Sequence, residues 1–270
     1  MIKKNPSFKK KVRISGTIIF ETAFHIGSGN EGELATNMGV LLDPAGHPIL
    51  PGSTLKGNFR SLAEGLAEHL GLKACMLDRS ISNVDNCVNG DDKHRDKIYK
   101  DFKELDNESK KIELLNKNLC NVCQLFGSPL HASRIFFSDG TLKEYSGNLQ
   151  VRDGVCIDRD TETARDKAKY DYEVVPAGAL FDISIDIDNP SDNDLALVGA
   201  ALAEWKNGFR LGGFTSRGLG KVHFTNFTIE QVDYTVPDQL KDYLLERKMA
   251  SADSLLDDAL KKCLNGDCHA

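Results

Sequence analysis

The chain has 270 residues, enough for one large domain or two small ones, and its 40% hydrophobic content is ordinary for a globular protein. These values exclude wholesale disorder, a collagen-like chain and a coiled coil. The net charge of −6 argues against a chain that coats nucleic acid through bulk charge, so any such contact must be local. Without a membrane-spanning apolar run or a signal peptide, we expect a cytoplasmic protein with no membrane partner, whose seven cysteines are free thiols or metal ligands.

Two elements stand out in the first third of the chain. Apolar and polar residues alternate over residues 11–21, which predicts a half-buried strand. A helix is predicted after Pro51, where either Ser53 or Thr54 caps the N-terminus and Gly71 ends the helix. Its apolar residues recur at helical spacing: Leu55, Phe59, Leu62, Leu66 and Leu70.

The later elements complete a recognisable order. Apolar patterns predict strands at 133–138, 181–188 and 222–227, and helical spacing predicts a second long helix at 191–206. Strand, helix, strand, strand, helix, strand is the split βαβ arrangement, so we expect an α+β protein with a ferredoxin-like, RRM-like βαββαβ core. Because the predicted strands carry no aromatic RNA-stacking motif, any RNA binding would have to use loops.

Two segments lie outside this core. Residues 73–130 are rich in charge and cysteine and interrupt the pattern, so we interpret them as an insertion. Residues 236–270 carry leucines at helical spacing, which predicts a helical C-terminal tail packed on the body or on a neighbour. We therefore predict one domain over residues 1–235, followed by this tail.

The start of the first helix is the first candidate site. Backbone N–H groups at a helix N-terminus, with Ser53, Lys56 and Arg60 close by, suit an anion such as a phosphate. A helix with two solvated cations explains the same residues, and the spacing of a Walker loop is absent.

A glycine-rich loop at 212–221 is the second candidate site. Its glycines let the backbone approach a ligand closely, its hydroxyls can donate to phosphate oxygens, and its cations can neutralise charge. The residues concerned are Gly213, Ser216, Arg217, Gly218 and Lys221. A loop that needs glycine only for its turn geometry is the alternative.

The insertion carries a candidate metal centre. Cys120 and Cys123 form a C-x-x-C knuckle, which holds two thiolates at zinc-binding distance. Cys75 and Cys87 can supply two further sulfurs and close a structural zinc site that holds the insertion together. Free buried thiols are the alternative, and the reserve ligands for either upstream cysteine are His69 and His94.

Five ordered motifs together resemble the RAMP superfamily, and specifically the repeated backbone subunit of type III CRISPR effector complexes. The motifs run collinearly over roughly residues 12–230, and are the loop at 25–29, the helix-start motif at 48–57, the cysteine motif at 120–128, the strand motif at 134–139 and the glycine-rich loop.

The resemblance implies that copies of the chain, with other subunits of an effector complex, assemble along a CRISPR RNA and present it to single-stranded target RNA. On this interpretation Lys56, Arg60, Ser216, Arg217 and Lys221 hold guide phosphates. The resemblance also implies a thumb-like hairpin that kinks the guide, and residues 150–177 match it. The segment is polar and turn-rich and carries basic residues, as expected for an arm that contacts RNA, among them Arg152, Arg159 and Arg165. A disordered surface loop is the alternative.

The sequence departs from the family's chemistry at one position. Active members cut target RNA at six-nucleotide intervals with a divalent metal, using an aspartate six residues before a second one. Here the second is Asp43 and the first is replaced by Asn37. An amide cannot accept the proton and binds a divalent cation poorly, so we expect cleavage to be absent or weak, with magnesium needed only if cleavage occurs. Glu31 and Glu33 are possible substitutes on the same loop.

Two other functions stay open. One is an active endoribonuclease that uses Glu31 or Glu33, or that processes precursor guide RNA through His25. The other is a zinc-containing scaffold that joins protein partners without RNA.

Overall fold

The computed structural model describes residues 8–31, 38–75, 87 and 92–267. The strands are β1 Lys10–Phe20, β2 Gly27–Glu31, β3 Met38–Val40, β4 Ile135–Phe137, β5 Thr141–Glu144, β6 Gln150–Ile157, β7 Ala164–Val174, β8 Leu180–Asp188, β9 Phe209–Arg210, β10 Lys221–Asp233 and β11 Ala250–Ser251. The helices are α1 Gly52–Ala67, α2 Asp92–Glu104, α3 Glu108–Asn118, α4 Asn121–Phe126, α5 Asp192–Asn207, α6 Pro237–Glu246 and α7 Leu255–Lys262. Single 3-10 turns lie at Glu68–Leu70 and Thr215–Arg217.

The main sheet is antiparallel, with the order β11-β10-β1-β8-β4, and β5 and β9 add to β8 and β10. Ile14 lies in register with Ile185 on one side and Ile229 on the other, and all three side chains are buried. Helices α1 and α5 pack against each other over this buried layer. The mixed α+β class is therefore confirmed, and the strand order is consistent with a ferredoxin-like arrangement.

Aromatic packing joins the two long helices. The ring of Phe59 on α1 meets the indole of Trp205 on α5 edge to face, with centroids 4.8 Å apart, and neither side chain is exposed. The indole N–H donates to the Asn58 side-chain oxygen over 2.9 Å. Burial of each large side chain contributes about 2 to 3 kcal/mol, so this pair fixes how α1 lies on the sheet.

A smaller sheet has the order β2-β3-β7-β6. Strands β6 and β7 form an antiparallel hairpin, hereafter the arm. Its turn is closed by the Asp158 carboxylate, which accepts hydrogen bonds from the N–H groups of Asp160 and Thr161. The arm thus pairs over most of the segment in which the sequence analysis predicts the thumb.

Three helices of the insertion join the main core. Ile98 on α2, Leu115 on α3 and Leu125 on α4 are buried in the same cluster as the sheet residues. These three residues place an inward face of each helix against the core.

The predicted cap of the first helix is wrong. The residue before the helix is Pro51, in an extended conformation, and no side chain within the helix start makes a cap hydrogen bond. The carboxylate of Asp139 instead accepts the Gly52 N–H over 2.6 Å, so a distant residue takes the role that we assigned to Ser53 or Thr54. Gly71 ends the 3-10 turn after α1 in the left-handed conformation, as predicted.

The tail packs on the body. Strand β11 pairs with the outer edge of β10, and α7 packs on α5, where Leu256 is buried. Cys263, which follows α7, is buried and disulfide-bonded. Our expectation of a free thiol or metal ligand is therefore wrong for this cysteine. Within the described ranges, no helix has both the length and the apolar character needed to cross a bilayer.

Candidate nucleic-acid interface and metal centre

The glycine-rich loop packs tightly against His25, in the segment between β1 and β2. Gly212 has φ +89°, and a Cβ at this position would collide with the carbonyl oxygen of His25. Gly220 has φ +71°, and a Cβ there would collide with the carbonyl oxygen of Leu211. The Gly213 N–H donates to the same His25 carbonyl over 2.8 Å. The loop therefore needs glycine both for its conformation and for close backbone approach, and its outer residues Ser216, Arg217 and Gly218 stay exposed.

An aromatic stack connects this loop to the base of the arm. Phe214, in the left-handed conformation with φ 57°, stacks on Tyr172 with ring centroids 4.3 Å apart. Tyr172 in turn lies beside Tyr170, whose hydroxyl accepts a hydrogen bond from Arg217. The Arg217 guanidinium also lies 5.6 Å from the centre of the Phe214 ring. The structure thus places one predicted phosphate contact at the base of the predicted thumb.

His25 lies beneath this stack. It is 7% exposed, its Nδ1 is 2.7 Å from the carbonyl oxygen of Glu173, and its ring meets Phe214 edge to face. These contacts support a packing role for His25 over the acid–base role that the rival function required.

Lys221 already has an acidic partner. Its ammonium lies 2.7 Å from a carboxylate oxygen of Glu21, and His223 lies 2.8 Å from the other oxygen. The hydrogen bond from Lys221 lowers the pKa of Glu21. An RNA phosphate at Lys221 would therefore share this cation with Glu21.

The helix start is less open than the sequence suggested. Because Asp139 accepts the Gly52 N–H, a carboxylate already occupies part of the anion position at the positive end of α1. Lys56 is half-buried and donates to the Ser133 hydroxyl over 2.9 Å, and burial together with the charge of Arg60 lowers its pKa. Ser53 lies exposed on the first turn.

Asn58 connects the helix-start motif to the segment before the glycine-rich loop. Its side-chain amide donates to the carbonyl oxygen of Arg210 over 3.1 Å. Arg210 is exposed and donates in turn to the carbonyl oxygen of Thr215 over 3.1 Å. The two sequence motifs are thus neighbours in space, and Arg210 is a further exposed cation beside them that the motif analysis missed.

Four buried sulfurs form the candidate metal centre. The Sγ atoms of Cys75, Cys87, Cys120 and Cys123 all lie within 4.8 Å of one another. A tetrahedral zinc ion with Zn–S bonds of about 2.3 Å needs sulfurs about 3.8 Å apart, so the cluster fits such an ion. His69 is exposed and outside this group, and the side chain of His94 lies outside the described residues.

Hydrogen bonds among the four thiols shift their pKa values in opposite directions. The hydrogen bond with Cys120 lowers the pKa of the Cys87 thiol, and the hydrogen bond with Cys123 lowers that of Cys120. Hydrogen bonding with Cys120 raises the pKa of Cys75 and Cys123. Backbone N–H groups support the cluster too, since that of Cys123 donates to the Cys120 sulfur over 3.4 Å. The arrangement can take a divalent ion that prefers sulfur ligands.

Two of the three predicted arginine contacts lie on the exposed surface of the arm. Arg152 is exposed on β6 opposite Tyr172, and Arg159 is exposed in the turn. Arg165 begins β7, but its side chain is not among those described. Val151, Val155 and Ile157 are also exposed on β6, at 50–60% of their surface.

The expected catalytic position lies outside the described residues. Asn37 and Glu33 fall between β2 and β3, and for Glu31 only the backbone, at the end of β2, is described. Asp43 is described: it accepts the N–H groups of Ala45 and His47, which lowers its pKa. The Asp43 carboxylate therefore stabilises the turn formed by the residues that follow it.

The fold and site define an α+β chain that combines a glycine-rich loop, an arm and a four-cysteine cluster. The family model of the RAMP superfamily matches residues 17–223, and the chain belongs to this superfamily.

Curated relatives cover most of the chain. A protein of Enterococcus italicus named CRISPR system Cms endoribonuclease Csm3 is 28% identical over 248 residues, covering 84% of this chain and 94% of the relative. A protein of the same name from Methanothermobacter thermautotrophicus is 27% identical over 255 residues, covering 83% and 87%. A third, from Methanocaldococcus jannaschii, is 26% identical over 245 residues, covering 84% and 83%.

Proposed function

We propose that the chain is a CRISPR RNA-binding backbone subunit of a type III effector complex, which holds the guide for pairing with target RNA. The superfamily membership and the printed names of the relatives support this class of function. The observation that carries the proposal is the contact between Arg217 and Tyr170, because it joins an exposed loop cation to the base of the arm.

Guide binding proceeds through two neighbouring groups of residues. The exposed glycine-rich loop offers backbone N–H groups, the Ser216 hydroxyl and the Arg217 guanidinium to the phosphates. Lys56 and Lys221 add charge beside it, each held by a neighbouring side chain. Such contacts grip the sugar-phosphate chain without reading bases, as a subunit that accepts any guide requires.

The arm is proposed to act as the thumb that kinks the guide. Its two strands are antiparallel from Gln150↔Val174 to Ile157↔Ala164, so the arm is long enough to reach across a strand of RNA. Arg152 and Arg159 are exposed for phosphate contacts, and Val151, Val155 and Ile157 offer apolar surface to an unstacked base or a neighbouring copy.

The partners of the chain are proposed to be the CRISPR RNA, single-stranded target RNA, further copies of itself and other subunits of the complex. The net charge of −6 fits this view, because the cations are needed only where they meet RNA.

The four-cysteine cluster is proposed to hold a structural zinc ion. Four buried sulfurs leave no open position for substrate, as is usual for structural sites. The ion would fix α4 and the segment around Cys75 and Cys87, and so shape the surface beside α1.

Cleavage by this subunit is proposed to be absent or weak. Asn37 stands where the resemblance places a carboxylate, and loss of a general base costs about 10² to 10⁴ in rate. The alternative is an active metal-dependent endoribonuclease, which the names of the relatives favour.

One experiment separates these candidates. Complexes that contain this chain as the backbone subunit are incubated with labelled target RNA and labelled precursor guide, with and without magnesium. We expect both RNAs to remain intact with the natural chain and periodic magnesium-dependent cuts of the target with Asn37→Asp. Periodic cutting by the natural chain that Glu33→Ala abolishes would establish the endoribonuclease instead.

A further inference from the structure

All three guanidinium nitrogens of Arg60 donate hydrogen bonds to groups of the protein. Nε donates to the Glu64 carboxylate over 2.8 Å, one terminal nitrogen to the Gly127 carbonyl oxygen over 3.4 Å, and the other to the Cys123 sulfur over 3.5 Å. The side chain is only 20% exposed. A guanidinium held in this way has little left to offer to a phosphate in solvent.

The sulfur cluster needs a positive charge beside it. Four thiolates around one divalent ion carry a net charge of −2, and the four cysteines are at most 6% exposed. Buried charge is costly unless it is paired or accepts hydrogen bonds. The N–H of Cys120 donates to the Cys87 sulfur over 3.5 Å, and that of Cys123 to the Cys120 sulfur, but these neutral donors leave the excess charge in place.

We propose that Arg60 is the counter-ion and positioning residue of the four-cysteine metal centre, and not a ligand of guide phosphates. The inference rests on the proposed metal centre and is independent of RNA binding. Glu64 aims the guanidinium from one turn further along α1, and the Gly127 carbonyl fixes the guanidinium over the end of α4. The same side chain thereby joins α1 to the insertion through the metal ligand Cys123.

The test compares zinc retention in three variants of the full chain. Arg60→Met removes the charge and keeps most of the stem, Arg60→Lys keeps the charge without the planar fork, and Ser61→Ala is the control at an exposed position of the same helix. Zinc content is measured by mass spectrometry, and zinc loss is followed with a chromogenic chelator. Cobalt-loaded protein reports the thiolate-to-metal charge-transfer band.

We expect Ser61→Ala to match the natural chain, Arg60→Met to lose zinc about ten- to a hundredfold faster with a shifted cobalt band, and Arg60→Lys to lie between them. RNA binding by Arg60→Met should keep the salt dependence of the natural chain, because the guanidinium contacts no phosphate. If Arg60→Met fails to fold, Arg60→Lys alone decides by its zinc loss and its cobalt band.

Two results would overturn the inference in distinguishable ways. Natural chain that takes up no zinc would remove the proposed metal centre and this role together. Zinc retention and a cobalt band unchanged in the Arg60 variants, with a reduced salt slope of RNA binding, would leave the metal centre intact and return Arg60 to the phosphate contacts.

Discussion

The ring of Tyr172 stacks on the ring of Phe214, with centroids 4.3 Å apart and planes 24° from parallel. Tyr172 belongs to the arm and Phe214 to the glycine-rich loop, so this contact joins two segments that are far apart in the sequence. The two rings pack on a small buried cluster of Ala23, Val174 and Leu219. The proposed thumb and the proposed phosphate loop therefore share one support.

Removing the Tyr172 ring should weaken this support. Tyr172 is 8% exposed, so Tyr172→Ala leaves a cavity and should lower the free energy of unfolding by about 3 kcal/mol. Tyr172→Phe keeps the stacked ring and should stay within about 1 kcal/mol of the natural chain. Urea unfolding of both variants measures the difference. Equal stability of Tyr172→Ala and Tyr172→Phe would mean that the stack does not support the loop.

The glycine-rich loop should tolerate alanine at one position and not at another. Gly212→Ala combines a left-handed φ with a collision against the His25 carbonyl, and should cost about 3 kcal/mol or more. Gly218 has φ +95° but no neighbour within 4 Å, so Gly218→Ala should cost only about 1 kcal/mol. Thermal unfolding of the two variants compares them, and a similar loss of stability in both would refute close packing at Gly212.

Acid should weaken one ion pair on the open face of the sheet. Arg13 donates to both carboxylate oxygens of Asp186, over 2.7 and 2.8 Å. Burial raises the pKa of Asp186, but the hydrogen bonds and charge of Arg13, together with the nearby Lys11, outweigh burial and hold that pKa below its usual range. Because the folded-state pKa is the lower one, this stabilisation is complete above the unfolded-state pKa of about 3.9 and is lost as the pH falls through the folded-state value.

The matching variant is Asp186→Asn. It should cost about 2 kcal/mol at pH 7, and its difference from the natural chain should shrink below pH 4. The exposed Asp106→Asn is the control, with little effect at either pH. Urea midpoints measured between pH 3 and pH 7 check this prediction. A difference for Asp186→Asn that stays constant over that range would contradict it.

Loss of the metal centre should unfold part of the insertion. Cys123→Ser should abolish binding of one zinc ion per chain and expose the segment around α4 to proteases, because the ion supplies folding energy there. The exposed Cys156 provides the matched control, since Cys156→Ser changes a thiol that is not part of the cluster. Zinc content and limited proteolysis report the outcome. Full zinc content in Cys123→Ser would exclude that cysteine as a ligand.

Much of the fold was predictable because a strand or helix that buries one face has apolar residues at regular intervals in the sequence. The alternation around Ile14 and Ile185 predicted two central strands, and Ser191 caps α5 with a capping box where the second helix was expected. The four cysteines of the predicted metal site were also found together.

The remaining features depend on contacts between distant residues. The start of α1 was misplaced because its cap comes from Asp139, which no local pattern connects to Gly52. The stack of Tyr172 on Phe214 was missed because each residue lies in a different motif. A cation in the middle of a helix gives no sign of its partner, so the sequence could not show that Arg60 faces a sulfur.

Binding of a repeat-derived RNA at increasing salt tests the central claim most directly. For a single strand, each phosphate contact contributes about 0.7 to the slope of log affinity against log salt. We expect tight binding by the natural chain and a slope smaller by about 1.4 for Arg217→Ala with Lys221→Ala. The charge-matched double variant Lys241→Ala with Lys262→Ala, at exposed positions of α6 and α7, should keep the natural slope. No affinity of the natural chain for this RNA, or equal slopes in both double variants, would contradict guide binding through the glycine-rich loop.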